Sequence, residues 1–141
     1  MTDAHGPGAA VTTVPALLVT HADLSAALLR AATAVYGPIA GVDVLSNEGL
    51  SREGLEQAIE AHVGAWRHGG LVLTDFWGGS CHVCGVSAAR KGHGEIVIVT
   101  GINLPLLLDY LHNRDHYGVM ELAERLAQKG QASIRVQRSD G

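Results

Sequence analysis

His21 and Asp75 are the residues whose type and placement could do chemistry. His21 follows the apolar run Pro15-Ala16-Leu17-Leu18-Val19-Thr20, and Asp75 closes a second run, Leu71-Val72-Leu73-Thr74. Short apolar runs of this kind are predicted to be buried parallel strands. The carboxyl ends of such strands are where open α/β sheets place their ligands. After Asp75 the chain continues Phe76-Trp77-Gly78-Gly79-Ser80. Gly78, Gly79 and Ser80 read as the turn that opens a helix, where free backbone N–H groups and the positive end of the helix dipole favour an anion. A carboxylate that accepts a hydrogen bond from one imidazole nitrogen sets the tautomer and leaves the other nitrogen as a directed, neutral nucleophile. The helix start then offers donors to an incoming phosphoryl group. No G-x-x-x-x-G-K-[ST] loop and no evident magnesium cluster accompany these residues. On residue chemistry alone the constellation is that of a phosphohistidine relay or a small hydrolase. Each residue taken singly would suit a cap or loop role; their convergence on one crevice carries the functional reading.

Cys81-His82-Val83-Cys84 begins the same helix. Cysteines at i and i+3 share a helix face, and a helix N-terminus lowers a thiol pKa. The pair is therefore an alternative metal-binding or redox-sensitive unit, with Cys81 and Cys84 joined by His21 or His82. The plainer alternative is two small packing residues. His62, on an apolar helical stripe, reads as a packed or edge histidine. His93, His112 and His116 sit in polar stretches as solvated loop residues, with His116 placed near the rim that holds His21.

These residues need elements to position them. A strand over 15–20 is followed by a helix over 23–36, on which Leu24, Ala27, Leu28, Ala31, Ala32 and Val35 make one apolar stripe. A second short strand spans 41–45, and its loop, residues 46–49, is expected on the same rim as His21. Ser51 is a good N-cap for a helix whose stripe runs to Trp66 and which Gly69-Gly70 ends. Further helices are expected over 80–90, from Asn103 with Pro105 in the first turn, and over 118–129, with Gly130 as a C′ glycine. A fourth strand covers 95–99. Residues 132–137 alternate apolar and polar, the pattern of an antiparallel edge strand. The fold class is α/β: a doubly wound, mainly parallel sheet of four strands in the order 2-1-3-4, plus that C-terminal edge strand. In this order the first and third strands are neighbours, so His21 and Asp75 meet at the switch point.

The chain has 141 residues, enough for one domain over 14–141 with a disordered tail over 1–13. It is 47% hydrophobic and only 4% aromatic, so the core is aliphatic. A net charge of -4 and the absence of any Lys/Arg run exclude a nucleic-acid footprint. No apolar stretch reaches the length of a membrane span, and no signal peptide is evident. Two cysteines in one C-x-x-C unit do not make a secreted disulfide framework, which points to the cytoplasm.

Residues 17–136 resemble the IIA component of the mannose family of the bacterial phosphoenolpyruvate-dependent sugar phosphotransferase system. Val19-Thr20-His21 is similar to the family's phosphohistidine motif, and Leu45-Ser46-Asn47-Glu48-Gly49 to its second loop. The stretch from Leu73 to Ser80 is similar to its most distinctive motif, and Thr100-Gly101-Ile102-Asn103-Leu104-Pro105-Leu106-Leu107 to its fourth; Arg114 also fits. The chain departs from the pattern at Ala22, where glycine is usual, and at Cys81-His82-Val83-Cys84, where proline and then asparagine are usual. The resemblance implies a phosphotransferase component without a cofactor. Phospho-HPr would phosphorylate His21 on Nε2, Asp75 would orient the ring, and Gly78, Gly79 and Ser80 would hold the phosphoryl oxygens. The acceptor would be a IIB domain, in sugar uptake or its regulation. It further implies a homodimer in which the last strand crosses to the partner. The competing expectation is a regulatory or metal- or redox-responsive binding module on the same fold.

Overall fold

The architecture follows from four short apolar-rich runs that pair in parallel, because each is followed by a helix that returns the chain to the same end. In a computed structural model that describes residues 12–141, the strands are β1 (Ala16–Thr20), β2 (Val42–Ser46), β3 (Gly69–Thr74) and β4 (Glu95–Thr100). They form one sheet of order β2-β1-β3-β4, parallel throughout. The helices are α1 (Leu24–Tyr36), α2 (Arg52–Val63), α3 (Ser80–Ala89), α4 (Leu104–Asn113) and α5 (Val119–Ala132). The expected tail falls outside the described residues except for Thr12 and Thr13. No described helix is long and apolar enough to cross a membrane.

The central strands β1 and β3 are buried on both faces, as a doubly wound sheet requires, and the edge strands β2 and β4 are half-buried. On one face Ala16, Leu18, Leu71, Leu73 and Val99 pack against α1, α4 and α5 through Ala32, Leu107, Tyr110, Leu122 and Leu126. On the other, Leu17, Val19 and Val72 pack against α2 and α3 through Leu55, Ile59, Val63, Cys81, Cys84 and Ala88. Alternation along β1 sends neighbouring leucines to opposite cores. Two helix starts are capped as their side chains foretold: Ser51 Oγ accepts the Gly54 N–H at 3.0 Å, and Asn103 Oδ1 accepts the Leu106 N–H at 3.0 Å.

Several expectations need correction. Gly69-Gly70 does not end α2, which stops at Val63 with Gly64 as its C-cap. Gly69 instead opens β3 with φ +87°, and a Cβ there would lie 1.9 Å from the Glu95 carbonyl oxygen. Only glycine admits so close an approach of the two strand starts. Gly130 does not stop α5 either. It lies within the helix, its carbonyl accepting from Asn103 Nδ2 at 3.1 Å. Residues 133–141 form no strand in the single chain, so the antiparallel edge strand is absent from it. Ile134 and Val136 stand 77% and 97% exposed. A period-two pattern makes a strand only where a neighbouring edge offers hydrogen bonds.

His116 is not near the His21 rim. α4 begins beyond the carboxyl end of β4 and runs back along the sheet, so the segment after it lies at the opposite end. There the Val14 N–H, just ahead of β1, donates to the Arg114 carbonyl at 3.0 Å.

Candidate functional site

The carboxyl ends of β1 and β3 are adjacent, with Val19 in register with Thr74. The residues that follow the two strands, His21 after Thr20 and Asp75 after Thr74, are therefore brought together. Asp75 Oδ2 accepts two hydrogen bonds from His21, from the backbone N–H at 2.8 Å and from ring Nδ1 at 2.8 Å. Its other oxygen accepts the Phe76 N–H at 3.1 Å. A carboxylate only accepts, so Nδ1 carries a ring proton, and in the neutral ring Nε2 keeps its lone pair. Ser80 Oγ, the first residue of α3, stands 3.3 Å from Nε2. The His21 side chain is 35% exposed and that of Asp75 10%. Burial pushes the Asp75 carboxyl up, but the backbone and ring hydrogen bonds from His21 outweigh it and hold it below its ordinary value. The pair therefore enters neutral solution with an ionised acceptor already aimed at Nδ1.

The rim residues that sequence reasoning missed are Phe76, Asn47 and His82 in these roles. The Phe76 ring stacks on His21 with centroids 5.0 Å apart and planes at 28°. Asn47 lies in the loop after β2, and its Oδ1 accepts the Ala22 N–H at 3.1 Å. That contact helps hold Ala22 at φ +53°, a left-handed conformation that explains why glycine suits the position better. His82 Nδ1 accepts the Gly78 N–H at 2.9 Å, and its ring lies 4.3 Å from that of Trp77. A hydrogen bond that pins a turn leaves no periodic signal. Only the i+4 spacing from Gly78 to His82 hinted at this one.

Gly78, with φ +86°, and Gly79 shape the approach to the ring. A Cβ at Gly79 would lie 2.7 Å from Phe76 Cζ and 3.1 Å from His21 Cε1. The N–H of Gly78 is taken by His82, and that of Gly79 points back to the Phe76 carbonyl at 3.4 Å. The donors left open at this helix start are the first-turn N–H groups of α3, since Gly79 supplies no side-chain cap.

Cys81 and Cys84 are both free and buried, but they face different neighbours. Cys81 Sγ lies 3.8 Å from His21 Nδ1. Cys84 Sγ lies 3.6 Å from the Arg52 carbonyl oxygen, one helical turn deeper. The expected lowering of a thiol pKa by the helix start is overturned. Burial first, and then the charge of Asp75, push Cys81 up to about 11 from 9.0, and burial also raises Cys84. Two units leave a roughly 100-fold smaller thiolate fraction. Both thiols are therefore expected to resist alkylation in the native chain at neutral pH and to react when it is unfolded. Counting modified cysteines by mass before and after denaturation checks this. Rapid native labelling of Cys81 would overturn it.

Among known proteins, the sequence matches the family described as PTS system fructose IIA component over residues 16–127. No curated protein matches it significantly. The fold is similar to that of a phosphotransferase system component EIIA from Streptococcus agalactiae, with TM-score 0.81 and 19% identity over 87% of this chain and 96% of the other. It is similar to a mannose/sorbose specific IIA subunit from Enterococcus faecalis, with TM-score 0.77 and 21% identity over 90% and 96%. A PTS IIA protein associated with a fucose utilization operon of Streptococcus pneumoniae gives TM-score 0.77 and 23% identity over 90% and 95%.

Proposed function

From the premise that the chain belongs to the IIA components of the sugar phosphotransferase system, we propose that it carries a phosphoryl group on His21, taking it from phospho-HPr and passing it to a IIB domain in the cytoplasm. The observation that carries this reading is the 2.8 Å bond from His21 Nδ1 to Asp75, which leaves Nε2 free beside Ser80 at the start of α3. In the transfer the Nε2 lone pair attacks phosphorus, and the bond from phosphorus to the donor breaks as the N–P bond forms. The ring gains positive character, which the Asp75 carboxylate stabilises through the proton that stays on Nδ1. Ser80 Oγ and the open N–H groups of the first turn of α3 hold the phosphoryl oxygens, while Gly78 and Gly79 keep the approach to Nε2 clear. Transfer to the acceptor is the same step in reverse.

The test is incubation with enzyme I, HPr and phosphoenolpyruvate, read by intact mass and by peptide mapping under alkaline conditions that preserve phosphohistidine. One added phosphoryl group on the peptide containing His21 is expected. No addition, with donors active on a control IIA protein, would overturn the reading.

Gly79→Ala probes the clear approach. Its Cβ forces the Phe76 ring off His21 or tilts the imidazole. A misplacement of this size is expected to slow phosphorylation by about 10–100-fold. Phe76 is 53% exposed and can swing outward, so stability is expected to change little. Rapid-quench phosphorylation beside a denaturant melt separates the two effects. Unchanged kinetics would remove Gly79 from the site.

The homodimer belongs to the same proposal. The alternating, exposed Ile134 and Val136 pair with no strand of their own chain, and β4 ends the sheet with an open edge. A second copy supplies what residues 132–137 need to pair.

A further inference from the structure

The Cys81 side chain has no part in the transfer described above, yet its sulfur is set against the working histidine. We propose that His21 Nδ1, a carboxylate oxygen of Asp75 and the Cys81 thiolate form a binding site for a zinc-class divalent cation, and that a cation held there switches off the nucleophile at Nε2.

The geometry is close to what such an ion needs. One ligand atom from each of the three residues lies within 4.8 Å of the other two. Tetrahedral zinc, with bonds of about 2.0–2.1 Å to nitrogen and about 2.3 Å to sulfur, places these two donors roughly 3.6 Å apart and N and O donors roughly 3.3 Å apart. Cys81 Sγ is already 3.8 Å from Nδ1, so it closes by a few tenths of an ångström. Asp75 Oδ2, now 2.8 Å from Nδ1 on the hydrogen-bond axis, yields that axis to the ion and swings aside by roughly 2 Å to reach the tetrahedral spacing. The other carboxylate oxygen, held by the Phe76 N–H at 3.1 Å, serves as the pivot of that swing.

The charges also match. One carboxylate and one thiolate neutralise a doubly charged ion, which a half-buried pocket requires. A thiolate with an imidazole selects zinc-class ions over magnesium or calcium. Three protein ligands leave a fourth position open to solvent on the exposed side of His21. Cys84 takes no part, because its sulfur is turned toward Arg52. The chelating unit is thus drawn from three places in the chain rather than from the C-x-x-C pair.

Binding follows a fixed proton count. The Cys81 thiol releases its proton to solvent as the metal–sulfur bond forms. The neutral imidazole keeps its single proton, but metal on Nδ1 moves that proton to Nε2. A protonated Nε2 has no lone pair for phosphorus. Metal and phosphoryl group therefore exclude each other through the tautomer of one ring. This exclusion rests on the carrier reading above; the metal site itself does not.

The test titrates the chelator-treated full chain with cobalt(II), then displaces it with zinc. One ion per chain is expected, with the visible bands of tetrahedral cobalt and a thiolate-to-cobalt charge-transfer band. Cys81→Ala, which preserves packing without a donor, is expected to weaken binding more than about 100-fold, since even outer partners of a metal site are worth 10–100-fold. Cys84→Ala is expected to bind as the parent does. A spectrum without the thiolate band, or full affinity in Cys81→Ala, would place the ion on surface histidines and overturn the site. Zinc-saturated chain is then offered preformed phospho-HPr, with the donor's own mass followed in parallel. Loss of phosphorylation that a chelator restores supports the exclusion, and undiminished phosphorylation overturns it. A metal-free chain that accepts no phosphoryl group would overturn the carrier reading and leave the cobalt result standing.

Discussion

Replacing His21 by alanine is expected to abolish phosphorylation of the chain, with no added mass under conditions that load the parent fully. The site offers no second nucleophile in the same geometry. His82, the nearest other imidazole on the rim, has Nδ1 committed to the Gly78 N–H and its ring against Trp77. The fold is expected to survive the change. Asp75 keeps the backbone N–H of residue 21 and that of Phe76, so its carboxylate is not left bare. The lost ring bond and the lost contact with Phe76 are worth about 1 kcal/mol each. Intact mass after incubation with the donor proteins, beside a denaturant melt, separates loss of the nucleophile from loss of fold. Residual phosphorylation at full occupancy would move the nucleophile to another residue.

Asp75→Asn is expected to slow transfer by about 10²–10⁴-fold, the range for a group that sets the proton inventory of a reacting atom. Both carboxylate oxygens are used: Oδ2 accepts from the backbone and ring of His21, and Oδ1 accepts from the Phe76 N–H. An amide has one oxygen to offer. If that oxygen faces His21, the NH₂ group opposes the Phe76 N–H. If it faces Phe76, the NH₂ group opposes the His21 N–H and donates to Nδ1, which drives the ring proton to Nε2 and removes the nucleophile. Either orientation sets donor against donor, at a stability cost of roughly 1–3 kcal/mol. Phosphorylation kinetics and the imidazole nitrogen shifts by NMR check both halves of this argument. A fast variant with the proton still on Nδ1 would show that the charge of Asp75, and its two-sided acceptance, are dispensable.

Much of this site was legible because its parts end elements that carry strong local signals. Residues 16–20 and 69–74 are buried at every position, and runs of Val and Leu bounded by polar residues announce such strands. Once four strands alternate with helices, right-handed crossovers leave few orders, and the order observed puts the ends of β1 and β3 side by side. His21 and Asp75 inherit their proximity from that topology. The helix caps Ser51 and Asn103 were equally plain, since a capping side chain bonds within its own turn.

The misread features share one physical cause: each depends on a neighbour distant in sequence. Gly69 is required by the Glu95 backbone, and Gly130 sits inside α5 because Asn103 and Leu106 pack against it. A local pattern can report only that glycine is present. His116 was misplaced because the polarity of its segment says nothing of which end of the sheet α4 returns to. Residues 132–137 have the period of a strand, yet residues 133–137 pair with no edge of their own chain. The two cysteines show the same limit at finer scale. Spacing of three puts both thiols on the buried face, yet it also separates them by about 60° around the axis and about 4.5 Å along it. That separation turns Cys81 to His21 and Cys84 to Arg52.

The sequence by itself determined the α/β architecture, the two strand ends that carry His21 and Asp75, and the glycine turn that opens the helix at Ser80, because periodicity, caps and glycine turns are written in contiguous residues. Only the tertiary structure decided which Asp75 oxygen bonds which nitrogen, which N–H groups at the start of α3 stay open, that Phe76 covers the ring, and that one buried thiol stands beside Nδ1. Those are matters of direction and distance between side chains far apart in the chain. They are set where two sheet faces and five helices close-pack, and no local signal encodes them.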